Sequence, residues 1–124
     1  MKSWMFLLLK YAMTFVAGFL TLSLIDGNSV LEVLVLALAV AALNYGVGDL
    51  VVLPAYGNLV AAIGDGLMAA ILVYIISLIW PAITVSFLSL VIFAVLIAIA
   101  EYFLHNYLLA AEEVKPPKGR TADP

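Results

Sequence analysis

Four apolar runs of about twenty residues dominate the chain, and each is long enough to cross a ~30 Å hydrocarbon core as a helix. They cover about Trp4–Ile25, Leu31–Leu53, Asn58–Trp80 and Ile83–Leu109, with ends placed to about 2–4 residues. Of the 124 residues, 67% are hydrophobic and 10% are charged. A soluble domain of this size is mostly surface and has nowhere to hide such an apolar surplus. An ordinary soluble enzyme, a nucleic-acid binder and a disordered protein are therefore excluded. The expected architecture is all-α: a polytopic integral membrane protein folded as a four-helix transmembrane bundle over residues 1–111. The bilayer is its first partner.

The connections carry turn chemistry. Asp26-Gly27-Asn28-Ser29 is a polar turn, and Ser29 with Glu32 matches a capping box for the second helix. Pro54-Ala55-Tyr56-Gly57-Asn58 reads as a tight hairpin, with the second helix ending at Pro54. Trp80-Pro81 ends the third helix, because proline cannot continue the hydrogen-bond ladder. From Glu112 to Pro124 the composition turns polar and predicts a disordered tail.

Charge placement sets an expected orientation. Lys2, Lys10, Lys115, Lys118 and Arg120 are all the basic residues, and an even number of spans puts them on one side. The first and third loops carry Asp26 and Glu32 but no Lys or Arg. That bias predicts cytoplasmic N and C termini and a cytoplasmic tail. Trp4, Tyr56, Tyr102 and Tyr107 then fall at the inner interface and Trp80 at the outer one. Lys2 would suit a signal peptide, but Lys10 interrupts the apolar run and no small-residue cleavage site follows.

Helices in lipid associate through small residues that let backbones approach. The first span aligns Lys10, Thr14, Gly18 and Thr21 at helical spacing, and the second Ala42, Gly46 and Asp49. The third aligns Ala62, Gly66 and Ala70 with Asp65 beside them, and the fourth Ala94, Ala98, Glu101 and His105. Each intramembrane ionisable residue thus lies on or beside a packing stripe. A charge facing lipid costs ~2.5–3.5 kcal/mol, so the inward orientation is expected for Lys10, Asp49, Asp65, Glu101 and His105. At 1.5 Å per residue, all five lie within about 15 Å of the cytoplasmic interface.

Three readings of this polar cluster stay open. It is a buried ion network, in which Lys10 compensates carboxylates and Asp65 is the preferred partner. Alternatively, it is solvated at the interface, with Lys10 snorkelling to the headgroups. The third reading is a proton- or cation-handling site. The Gly48-Asp49 and Gly64-Asp65 dipeptides flank the hairpin almost symmetrically, without a full inverted repeat.

No cysteine is present, so thiol and disulfide chemistry are excluded, and the single histidine precludes a multi-histidine metal site. Neither a metal nor a cofactor is expected. Catalysis finds no motif either. Ser77, Ser86 and Ser89 fall in the outer half of the membrane and His105 in the inner half. The expectation is a non-enzyme.

Tyr45-Gly46-Val47-Gly48-Asp49-Leu50-Val51-Val52-Leu53-Pro54, then Gly57-Asn58 and Gly64-Asp65, together with Lys10-Tyr11-Ala12-Met13-Thr14, resemble the YndM-like family. These are small four-helix membrane proteins of spore-forming Gram-positive bacteria. The likeness is good over roughly Lys10–Tyr74 and extends to the fourth helix by hydropathy alone. It implies four spans and a bacterial plasma membrane, but no function and no ligand residues. The expectation is therefore a non-catalytic structural or accessory protein of the cell envelope. The alternative is a proton- or cation-coupled channel or transporter. So short a chain encloses little space, so transport would call for a homo-oligomer; a small membrane partner is the other association considered.

Overall fold

A computed structural model of the protein describes residues 3–110. The tail at 112–124, Lys2, Lys115, Lys118 and Arg120 lie outside the described residues. The first helix, α1, spans Ser3–Gly18 and continues as a π-helical turn over Phe19–Ser23. The second, α2, spans Val30–Leu43 and passes into a long π-helical stretch, Asn44–Val52, and a last α turn, Leu53–Tyr56. The third, α3, spans Asn58–Ile79, and the fourth, α4, spans Phe87–Ala110. No strand occurs among the described residues. Four helical stretches, Trp4–Ser23, Val30–Tyr56, Asn58–Ile79 and Phe87–Tyr107, are long and apolar enough to cross a membrane.

The turns follow local chemistry. Ser29 Oγ accepts from the Glu32 amide at 3.1 Å, and Glu32 Oε1 accepts from the Ser29 amide at 2.9 Å, so the capping box forms. Pro54 does not end the second helix as its sequence position suggests. It lies in the first turn of a fresh α segment, where its missing N–H has no partner to lose. The break comes at Gly57, whose φ of +90° is a conformation open to glycine. The hairpin between α2 and α3 is thus a single-residue corner.

The fourth helix begins at Phe87 rather than near Ile83, because the preceding segment is recruited elsewhere. Asn28, buried in the first loop, donates to Leu22 O at 2.8 Å and Thr84 O at 2.6 Å, and accepts from the Thr84 amide at 2.8 Å. Asp26 accepts from the Ser86 hydroxyl at 2.8 Å and from its amide at 3.1 Å. Ser86 Oγ in turn accepts from the Ser89 amide at 3.1 Å, which caps α4. The first and third loops are thereby stitched into one lid over this end of the bundle.

The core has two apolar parts. A larger one joins Ala17, Leu22, Val33, Leu36, Val40, Ala69, Val73, Ile83, Phe93 and Ile97 toward the stitched loops. A smaller one joins Phe6, Leu53, Ala61 and Leu104 toward the Gly57 corner. Outward faces are apolar too: Leu8 is 60% exposed, Ile79 77% and Phe87 83%. In water such a surface would aggregate, whereas in lipid it is the required one.

Candidate functional site: a buried charge cluster between four helices

Between the two apolar cores, each helix contributes an ionisable group at the same level. Lys10 comes from α1, Asp49 from the π-helical part of α2, Asp65 from α3, and Glu101 and His105 from α4. All five are 0% exposed. Interfacial solvation with a snorkelling lysine is therefore not the arrangement adopted.

Lys10 lies between two helices' worth of carboxylate. Its ammonium is 3.1 Å from Asp49 Oδ2 and donates to Glu101 Oε1. Asp65, the partner expected from hairpin depth, is not among its ion pairs. Its carboxylate lies instead against His105 Nε2, 3.2 Å from Oδ2, and over Gly48. The Phe6 ring, 5.8 Å from Nζ, covers the lysine from the Gly57 side. Below it in sequence, Thr14 Oγ1 returns a hydrogen bond to Lys10 O at 2.7 Å.

His105 closes the cluster. Its Nε2 is 2.8 Å from Asp49 Oδ1, 3.2 Å from Asp65 Oδ2 and 3.3 Å from Glu101 Oε1. Its Nδ1 is 2.8 Å from Asn58 Oδ1. Asn58 is anchored on α4, where its amide nitrogen donates to Tyr102 O at 2.8 Å and Asn106 Oδ1 at 3.0 Å. The first residue of α3 thus orients the last residue of the cluster.

The π-helix also decides which small residues matter on α2. With i→i+5 bonding, the buried positions step Val40, Asn44, Asp49, Leu53, with Ala37, Ala41 and Gly48 beside them. Ala42 and Gly46, the positions read from a 3.6-residue repeat, face outward, and a Cβ on Gly46 would meet nothing within 4 Å. Gly48 makes the close approach instead. A Cβ there would stand 2.8 Å from Asp65 Cγ, so the carboxylate of α3 occupies the space a side chain would need.

The other stripes lie near neighbouring helices. Gly18 is buried, and a Cβ on it would come 3.0 Å from Val33 Cγ1 of α2. Ala62 and Gly66 are buried and Ala70 is half-buried on α3. Ala94 and Ala98, half-buried on α4, face Gly66: a Cβ on Gly66 would meet Ala94 O and would lie 3.1 Å from Ala98 Cβ.

Of the two glycines beside the aspartates, from which close helix contact is expected, Gly48 makes it and Gly64 does not, since a Cβ there would meet nothing within 4 Å. Sequence reasoning missed Asn58 and Asn44. Asn58 was visible only as a polar residue at a helix start. Asn44 is buried five residues before Asp49, a spacing that signals nothing unless a π-helix is assumed, and among the described residues its side-chain amide has no hydrogen-bond partner.

No curated protein matches the chain, and no solved structure does. A family model described as "Protein of unknown function (DUF2512)" matches residues 1–121. A match over nearly the whole length settles descent where the cluster alone could not: this four-helix chain belongs to the DUF2512 family of uncharacterised proteins.

Proposed function

We propose that the protein is a non-catalytic, multi-pass protein of the bacterial plasma membrane, structural or accessory in role, whose inner charge cluster fastens its four helices. The supporting observation is the cluster's construction: five fully buried ionisable groups, at least one from every helix, joined by the ion pairs of Lys10 and by the close contacts of His105 with all three carboxylates. A buried pair breaks at a cost of ~3–5 kcal/mol when one partner is removed. A network spanning four helices therefore fixes their register far more strictly than apolar contact in lipid does.

The termini are proposed to be cytoplasmic, on the five-to-none distribution of basic residues. The likeness to YndM-like proteins supports the plasma membrane as location. A second reading, cation-coupled transport by a homo-oligomer, is favoured by one observation: the carboxylates outnumber the lysine three to one. Reconstitution separates the two. In the fastening reading, liposomes containing the protein show no proton or cation flux above empty liposomes, and Lys10→Met lowers the unfolding midpoint. A flux abolished by Asp65→Asn in a variant that still folds would overturn it.

A further inference from the structure

The cluster holds more negative charge than its lysine balances. Asp49, Asp65 and Glu101 bring three carboxylates and Lys10 one ammonium, all 0% exposed. Buried charge without a counter-charge is not tolerated in a low dielectric. The state of His105 therefore decides what completes the site.

Its two ring nitrogens have different surroundings. Because the Asn58 amide nitrogen is committed to Tyr102 O and Asn106 Oδ1, the atom facing Nδ1 is the amide oxygen, an acceptor. Nδ1–H donates to it, and in the neutral ring this leaves a lone pair on Nε2. Nε2 is fully buried and sits 2.8–3.3 Å from oxygens of three carboxylates, to which the neutral ring has no proton to offer. Among the described residues, neither oxygen of Asp65 accepts a hydrogen bond, nor does Glu101 Oε2. In the neutral ring, a lone pair and carboxylate oxygens pointing at one another repel unless a proton or a metal cation lies between them.

We propose that Asp49, Asp65, Glu101 and His105 Nε2 form a binding site for one divalent transition-metal cation, with Zn2+ the ion its size fits. The inference rests on the fastening reading, since the same side chains serve both. Four donor atoms at ~2.0–2.2 Å from a tetrahedral ion stand about 3.3–3.5 Å apart. One donor atom from each of the four residues can be chosen so that all lie within 4.8 Å of one another, and the nitrogen already stands near the tetrahedral edge from the oxygens of Asp65 and Glu101, with Asp49 Oδ1 closer at 2.8 Å. Charge agrees for the neutral ring with ionised carboxylates: three carboxylates less one ammonium leave two negative charges, which one divalent cation neutralises. Ca2+ suits the site poorly, because it takes about 6–8 oxygens at ~2.3–2.6 Å. Asn58 fills the outer role that ligating histidines usually have, fixing the tautomer from behind. A lone histidine excludes a multi-histidine centre, but not one completed by carboxylates.

The test uses the tag-free full-length chain in detergent, stripped with a chelator, then titrated with Zn2+ and separately with Ca2+. One Zn2+ per chain is expected to bind and to raise the unfolding midpoint, while Ca2+ does neither. His105→Gln, Asp65→Asn and Asn58→Ala weaken Zn2+ binding by about ten- to a hundredfold. Glu32→Gln, which keeps a capping-box side chain at the other end of the bundle, leaves it unchanged. Absence of Zn2+ binding below about 100 μM by the folded wild type overturns the proposal. So does equal binding by folded His105→Gln and Asp65→Asn. If the wild type fails to bind while Lys10→Met loses stability, only the metal site falls. If Lys10→Met keeps the wild-type midpoint, the fastening reading fails, whatever Zn2+ does.

Discussion

A lysine with no exposed surface in the middle of an apolar bundle is stable only while its carboxylates are present. Lys10 is held by Asp49 and Glu101, on two different helices. Lys10→Met is expected to lower stability by ~3–5 kcal/mol, because both carboxylates lose their cation. Adding Asp49→Asn to it should recover part of that loss, and adding Asp65→Asn should recover less, since Asp65 is not among the lysine's partners. Chemical unfolding of the three variants in one detergent checks the order. The glycines give a second residue-scale contrast. Gly48→Ala drives a methyl group into the Asp65 carboxylate, whereas Gly46→Ala meets open space. The first should unfold at clearly lower temperature than the wild type and the second within a degree or two of it. Equal midpoints for the two alanine variants would show that α2 follows an α rather than a π register here.

At the level of elements, α3 comes close to α4 at Gly66, which faces the Ala94 carbonyl and the Ala98 methyl. Gly66→Leu separates two backbones and is expected to cost ~1–3 kcal/mol or more. Leu72→Ala removes a half-buried side chain beside the larger core and should cost less. Thermal unfolding that ranks them the other way would place the main α3–α4 contact elsewhere. Elements also show where the sequence was legible. The spans follow from hydropathy, and the inward placement of all five charges follows from the cost of facing lipid. The stripes on α1, α3 and α4 obey a 3.6-residue repeat and could be read directly. The stripe on α2 could not, because i→i+5 bonding over Asn44–Val52 shifts the buried face away from Ala42 and Gly46. Pro54 and the start of α4 were hidden for a related reason. Each depends on hydrogen bonds to residues far away or in another register, and a local signal contains neither.

For the whole molecule, orientation is the remaining variable. A cytoplasm-active reporter joined after Pro124 should be active and a periplasm-active one silent, given that all basic residues lie toward the terminal side. The reverse pattern would invert the bundle and put the cluster near the outer leaflet. Family membership extends over nearly the whole chain, yet the function was not legible in it, because the family carries no assigned role. The cluster was half legible. Its members could be named from residue type and depth, but their pairing depended on the twist of one helix. Asn58's part depended on which way one ring faces.

Drawing one group or more from every helix has a consequence for biosynthesis. A ribosome delivers Lys10 first, Asp49 next, Asp65 after the Gly57 corner, and Glu101 and His105 last. Each charge that enters lipid ahead of its partner carries a penalty of ~2.5–3.5 kcal/mol. The lysine emerges nearly forty residues before its first carboxylate and ninety-one before Glu101. Early segments are therefore expected to keep an unpaired charge until the fourth is made, and a nascent chain arrested before Phe87 should be a substrate for membrane quality control. Completion of synthesis, rather than insertion of any one span, is then the step expected to close the charge network.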